Sequence, residues 1–241
     1  MRIRPVGAHA LLLDCTAPAD VPEAALVEAW RAELWRRREQ GELLAVEIVP
    51  AASTVLLDGL PDPAVTTKQL TQWAPEVANA TPARPSAAAA DRAADRPAAV
   101  DERALDDHGV DDHGDNAEVV VLVEFDGPDL PAVAEHWGVT VPAVLRRLTG
   151  TRFRVAFCGF APGFPYLTGL PAELALPRLA TPRPRVPAGS VALAGPYAGI
   201  YPSASPGGWL LVGRTELVLF DVSADPPARL GPGTLVRMAA A

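Results

Sequence analysis

Two stretches, one uncharged and one with a single charged residue, concentrate the groups that could hold a small molecule. CGFAPGFPYLTGL, residues 158–170, joins three glycines and two prolines to two phenylalanines and a tyrosine, with no charged side chain. SASPGGWLLVGRT, residues 203–215, combines Gly, Pro and Trp in the same way and ends on Arg214 and Thr215. Between them lies PRPRVPAGSVALAGPYAGIYP, with Arg183 and Arg185 among prolines. Pro162, Pro165 and Pro206 fix φ and remove N–H donors. Gly163, Gly207 and Gly208 admit positive φ and let a ligand approach the backbone. Phe160, Phe164, Tyr166, Tyr201 and Trp209 supply flat walls, and Tyr and Trp add a polar edge. Arg183 or Arg214 could pair with a carboxylate or phosphate in bidentate fashion. Arg185 has the same chemistry and could exchange roles with Arg183. The candidate catalytic groups are Arg183, Arg214 and Tyr201. The candidate substrate-binding groups are Phe160, Pro162, Gly163, Phe164, Tyr166, Ser205, Pro206, Gly207, Gly208, Trp209 and Thr215. Tight turns that only plug the ends of a barrel would show the same composition.

Other chemistries are excluded or weak. The single lysine, Lys68, follows no G-x-x-x-x-G pattern, so there is no P-loop. No H-E-x-x-H, C-x-x-C or G-x-S-x-G pattern occurs. Asp106-Asp107-His108 and Asp111-Asp112-His113 could ligate a metal, but they lack a preformed scaffold and read as a solvated acidic tract; no metal site is expected. Cys15 and Cys158 read as free thiols of a reducing cytosol. The net charge of −8 argues against nucleic acid as a partner. No run approaches the roughly 18 apolar residues that span a bilayer. The N-terminal apolar run stops at Asp14, too early for a signal peptide, so a cytoplasmic protein is expected.

The elements that must carry these residues fall in two groups. Residues 1–14 read as a strand. Asp20 caps a helix with Pro22 in its first turn and Glu23 at the capping-box position, and Gly41 closes it. LLAVEIVPA and STVLLDG read as strands, and TTKQLTQWAPEVA as a second helix. This gives an N-terminal α/β domain over residues 1–80. Residues 81–116 are rich in Ala, Pro, Asp and Arg, lack aromatics, and read as a disordered linker. From 117 to 241 regular structure returns. VVVLVEF is a strand, Asp129 caps a helix, and Thr140 caps another over VPAVLRRL. RFRVAFCGF, SVALAG, GIYP, GWLLVGRT, ELVLFDV and TLVRM follow as short strands of a closed barrel or sandwich. The pair AVAEHWGVTVPAVLRRL also has the outline of a DNA-binding helix-turn-helix, but it offers only Arg146 and Arg147 on an acidic protein.

GFAPGFPYLTGL, PRPRVPAGSVALAG and IYPSASPGGWLLVGRT resemble, in order and spacing, the signature blocks of the PxpB family, the B subunits of 5-oxoprolinase. These proteins are also called allophanate hydrolase subunit 1 or KipI-like carboxyltransferase-domain proteins. The blocks cover roughly residues 152–221, and MRIRPVGAHALLLD, EIVPAASTVLLD and GPDLPAVAEHWGV resemble weaker ones. The resemblance implies an α+β protein: a small α/β N-terminal domain joined to a cyclophilin-like β-barrel. It implies two partners, a homologous C subunit (allophanate hydrolase subunit 2-like) and a LamB/YcsF-like A subunit. The complex it implies opens the lactam of 5-oxoproline to glutamate while hydrolysing ATP. Relatives also act on urea- or allophanate-type amides or inhibit a sensor kinase, so the fold alone does not choose. One departure stands out: relatives often carry His-Thr where this chain has Leu148-Thr149.

Overall fold

The computed structural model describes residues 1–16, 23–81 and 118–241. The Asp20 cap with Pro22, residues 82–116 of the expected 81–116 linker and both Asp-Asp-His triplets lie outside the described residues. The chain has mixed α and β structure with a curled sheet, and its described residues divide into two units. One takes residues 1–81, Val155–Thr168 and Leu219–Gly233; the other takes 118–154, Gly169–Val218 and Thr234–Ala241.

In the first unit the expected single strand over 1–14 is a hairpin, β1 (Arg2–Val6) and β2 (Ala10–Asp14). Gly7, at φ +63°, turns the chain in the left-handed region that a Cβ disfavours. β3 (Glu47–Pro50) and β4 (Thr54–Asp58) complete an antiparallel sheet of order β1-β2-β4-β3. Helix α1 (Glu23–Glu39) buries Val27, Trp30 and Leu34, and α2 (Pro63–Ala80) buries Thr66, Leu70, Trp73 and Val77. These faces meet Leu11, Leu13, Val55 and Leu57 of the sheet in one core. Each large apolar side chain taken out of water there contributes about 1.5–3 kcal/mol. The Asp62 carboxylate caps α2, accepting from Ala64 N–H at 2.9 Å and Val65 N–H at 3.1 Å.

The second unit is built on β5 (Glu118–Val123), helices α3 (Leu130–Trp137) and α4 (Val141–Gly150), and further strands. Of β6 (Arg152–Cys158), residues Arg152–Arg154 belong here, and its remainder with β7 (Pro165–Thr168) belongs to the first unit. β8 (Arg183–Val186), β9 (Ser190–Ala194), β10 (Tyr197–Ile200), β11 (Ser205–Gly207), β12 (Leu210–Arg214) and β13 (Leu235–Ala240) follow. β13 pairs in parallel with β5 and antiparallel with Arg152–Arg154. β9 pairs antiparallel with both β10 and β12, and every residue of β9 is buried.

A seam joins these two ladders. Glu124 and Arg214 exchange backbone hydrogen bonds, each N–H to the other's C=O at 2.9 Å. Gly127 N–H donates to Val212 O at 3.3 Å, and Asp129 N–H to Leu211 O at 3.1 Å. The chain leaving β5 is thus zipped along the edge of β12. Gly127 is required there, since a Cβ would lie 2.3 Å from Leu211 O.

Three expectations change. Asp129 does not cap α3, and Thr140 makes no side-chain cap to α4; the Asp129 carboxylate is engaged elsewhere. ELVLFDV, 216–222, is not a strand: a single bridge, Phe220 to Ala228, is its only ladder contact among the described residues. Val218, Phe220 and Val222 are 69%, 37% and 86% exposed, while Leu219 between them is buried. The Gly/Pro-rich segments of 158–170 and 203–215, expected as loops, contain β7 and β11.

Candidate functional site

Asp129 is the hub of the second unit. Its Oδ1 accepts from Arg183 Nη2 at 2.7 Å and its Oδ2 from Leu211 N–H at 2.6 Å. Arg183 Nη1 donates to Trp209 O at 3.3 Å. One carboxylate therefore ties the start of α3, strand β8 and the start of β12 together. The side chains are 12% and 28% exposed, so the pair sits in a weakly solvated setting where charge-assisted hydrogen bonds are strong. The structure separates the two arginines that the sequence leaves interchangeable. Arg183 is clamped, whereas Arg185 is exposed and makes no hydrogen bond or ion pair among the described residues.

The clamp holds a ribbon that carries half of the expected site. β11 pairs antiparallel with β8, with Gly207 opposite Arg183 and Ser205 opposite Val186. Tyr201 is 1% exposed, and its hydroxyl lies where a Cβ on Gly207 would be, 2.2 Å away. Gly207 thus admits the Tyr201 ring, not an external ligand. Gly208 C=O accepts from Leu179 N–H at 2.8 Å. Trp209 is buried to 6%. Pro206 is exposed on the ribbon. Ser205 Oγ is buried without a hydrogen-bond partner.

Arg214 and Thr215 stand at the far end of β12. At about 3.3 Å per residue, Trp209 and Arg214 are roughly 16 Å apart along the strand. Arg214 donates through Nε to Glu124 Oε2 at 2.9 Å and lies 3.2 Å from Asp126 Oδ2. The Glu124 hydrogen bond first, then the charges of Glu124 and Asp126, hold Arg214 above the ordinary arginine value. Thr215 is buried, and its Oγ1 accepts from Leu217 N–H at 3.3 Å. A cavity of about 340 Å³ opens here, lined by Val120, Leu122, Glu124, Arg214, Thr215 and Leu217 among others.

Phe160, Pro162, Gly163, Phe164 and Tyr166 lie in the first unit. Gly159 N–H donates to Phe164 O at 3.2 Å and Phe164 N–H to Ala161 O at 3.0 Å, closing a tight turn. Phe164 is buried at 1%, and Tyr166 stacks on Phe157 with centroids 4.3 Å apart. Gly163, at φ +76°, presses on Phe220; a Cβ would lie 2.7 Å from Phe220 Cβ. Phe160 and Pro162 are exposed, and Phe160, at 64%, lies in the left-handed region at φ +70°. Leu148 is fully buried on α4. Asp129 and Glu124 are the residues that sequence reasoning missed as partners. Gly-Pro-Asp before a helix reads as a cap, and nothing local reveals arginines 54 and 90 residues away.

Known proteins share both the sequence and the fold. The model of one family, the carboxyltransferase domain, subdomain C and D, matches residues 1–230. A protein named as the B subunit of 5-oxoprolinase, from Escherichia coli O157:H7, is 51% identical over 111 residues, 46% of this chain and 51% of that protein. The protein of the same name from Bacillus subtilis (strain 168) is 44% identical over 111 residues, 46% of each. The match thus spans about half the length of these curated relatives. The crystal structure of TTHA0988 is 28% identical with a TM-score of 0.65, covering 100% of this chain and 40% of that one. The urea amidolyase of K. lactis shares the fold at 18% identity and a TM-score of 0.61, over 99% of this chain and 15% of that one.

Proposed function

The chain belongs to the carboxyltransferase domain family, subdomain C and D, and on that premise we propose that it is a subunit of an ATP-dependent 5-oxoprolinase. In this reading it acts with two partners, one allophanate hydrolase subunit 2-like and one LamB/YcsF-like, to open the lactam of 5-oxo-L-proline to L-glutamate. The observation that carries the reading is the 51% identity over 111 residues to a protein named as the B subunit of that enzyme. The geometry supports a division of labour. Arg183 spends one N–H on Asp129 and one on Trp209 O. Its further donors suit the carboxylate of a small cyclic amide, oriented by a guanidinium that cannot swing away. Tyr201 and Trp209 then act as positioning residues, because both are buried beneath the ribbon. Arg214 and Thr215 line the separate cavity and would meet a different part of the substrate or another chain of the complex.

ATP fits the chain alone poorly. Its one lysine, Lys68, lies on α2, and Arg183 and Arg214 are each paired with carboxylates. A phosphate placed there would share each guanidinium with a carboxylate already bound to it. ATP is therefore assigned to the complex, where it supplies the energy for lactam opening.

Reconstitution tests the reading. The chain is co-expressed with the two candidate partners of the same genome, and 5-oxoproline-dependent ADP and glutamate release are measured with and without it. Glutamate formation that requires this chain is expected. A stable complex without turnover would instead favour a regulatory role or a urea-type amide.

A further inference from the structure

We propose that the cavity where β5 parts from the end of β12 is a binding site for a small molecule that carries an ammonium group on an apolar stem. The proposal goes beyond the reading above and narrows what Arg214 and Thr215 meet. It does not depend on that reading, because every residue it uses belongs to this chain. Glu124 and Arg214 form the last rung of the seam. Beyond that rung β5 is an edge strand, and residues 215–217 have left β12. The split between them is the cavity of about 340 Å³, lined wholly by residues of the second unit. Pockets for small ligands run from about 300 to 1,000 Å³ and are mostly apolar, with a few placed polar groups. This one is divided in that way. Val120 and Leu122 stand two residues apart on one face of β5, both exposed, and Leu217 adds a third aliphatic side chain. Glu124 continues the same alternation at the polar end.

The polar groups set the sign of the ligand. Glu124 and Glu216 line the cavity with Arg214, and Asp126 lies 3.2 Å from the same guanidinium, so three carboxylates surround one cation. Arg214 donates to Glu124 Oε2 through both Nε and Nη2, so its charge is already met. Glu124 Oε1 and the Glu216 carboxylate accept no hydrogen bond among the described residues. Arg214 is raised first by the Glu124 hydrogen bond, then by the charges of Glu124 and Asp126, and Glu216 adds to them, which places its carboxylate in the same field. Thr215 is an independent sign of an unfilled site. It is 8% exposed and its Oγ1 accepts from Leu217 N–H, but its own O–H donates to no described group. A buried donor left unspent carries a cost that a ligand acceptor would relieve. An anion entering here would meet an excess of negative charge, and a neutral apolar molecule would leave the two glutamates unanswered. An ammonium has three N–H donors for Glu124 Oε1 and Glu216. Its stem would cover Val120 and Leu122, and an oxygen on that stem would take the Thr215 O–H.

The test titrates the full chain with n-hexylammonium, 1-hexanol and hexanoate at low ionic strength, so that charge varies while the stem stays the same. Amide shifts of Val120, Leu122, Thr215 and Leu217 report the place, and their saturation gives the affinity. No step needs ATP, a partner or turnover, so this result and the reconstitution above can fail separately. Hexylammonium is expected to saturate with its shifts grouped at these amides, and to bind about tenfold more tightly than hexanol, as one charge-assisted hydrogen bond would give. Hexanoate is expected not to saturate. Glu216→Gln changes an exposed side chain that makes no hydrogen bond in the fold. It should weaken hexylammonium about threefold or more with the melting temperature unchanged, while Leu122→Ser should weaken hexylammonium and hexanol alike. Hexanol binding as tightly as hexylammonium, saturation by hexanoate, shifts centred elsewhere, or full affinity in Glu216→Gln would each overturn the proposal.

Discussion

Asp129 accepts from a guanidinium and a backbone N–H through different oxygens, and no other side chain offers both at that length. Asn would keep one acceptor for Leu211 N–H but turn an NH2 toward Arg183. Asp129→Asn is therefore expected to destabilise the chain by about 1–3 kcal/mol, the range for a charge-assisted bond lost in a partly buried setting. Urea denaturation measures this directly. Arg183→Lys should lose a comparable amount, because a single ammonium cannot span Asp129 and the Trp209 carbonyl as the planar fork does. If the two residues act as one clamp, the losses will fall short of additive when combined. Fully additive losses would mean that each side chain stabilises something else.

At the scale of elements, the seam from Glu124 to Asp129 fastens the chain leaving β5 to the edge of β12. Gly127→Ala puts a methyl within 2.5 Å of Leu211 O and of Val212 C and Cα, all backbone atoms that cannot rotate aside. Overpacking of this kind typically costs about 1–3 kcal/mol or more. Amide exchange of Glu124 and Arg214 should accelerate more than that of β9, whose residues are all buried. The elements legible in the sequence were α1, α2, the helix pair at 130–150, and β3, β4, β5, β6, β9, β10, β12 and β13. β7 and β11 were hidden because Pro165 and Pro206 sit in them, and proline demotes a strand reading. ELVLFDV misled in the opposite way, since its alternation is strand-like while its ladder among the described residues is the single Phe220–Ala228 bridge. The residues of the candidate site were marked by their Gly, Pro and aromatic content. Their grouping was not, because Asp129 and Arg183 meet only when segments 54 positions apart are zipped together.

For the whole molecule, charge and buried thiols set a stability window that can be read from both ends. On the acid side, Asp14 is held below the ordinary carboxylate range by the Thr16 hydroxyl and then its N–H; the Ser223 hydroxyl and N–H do the same for Asp221. Glu33 is lowered first by its hydrogen bond to Arg36. Carboxyls with depressed values in the fold stabilise it above their unfolded values, near pH 4, and that contribution is lost as pH falls through the folded values. On the alkaline side, burial pushes Cys15 up to about 12 and Cys158 up to about 11. An unfolded thiol ionises near pH 8.5. Both thiols therefore favour the fold below that pH, and the contribution disappears as pH rises from about 9 toward the folded values. Stability from urea melts should plateau between about pH 5 and 8 and fall on both sides. Cys15→Ser would remove part of the alkaline limb but also bury a hydroxyl, so chemical reactivity is the cleaner readout. At about pH 8 both thiols should resist alkylation in the native chain and react fully on unfolding, since the thiolate is the attacking species. Rapid native-state alkylation at Cys15 would show that its surroundings open far more often than its packing, with no exposed surface, allows.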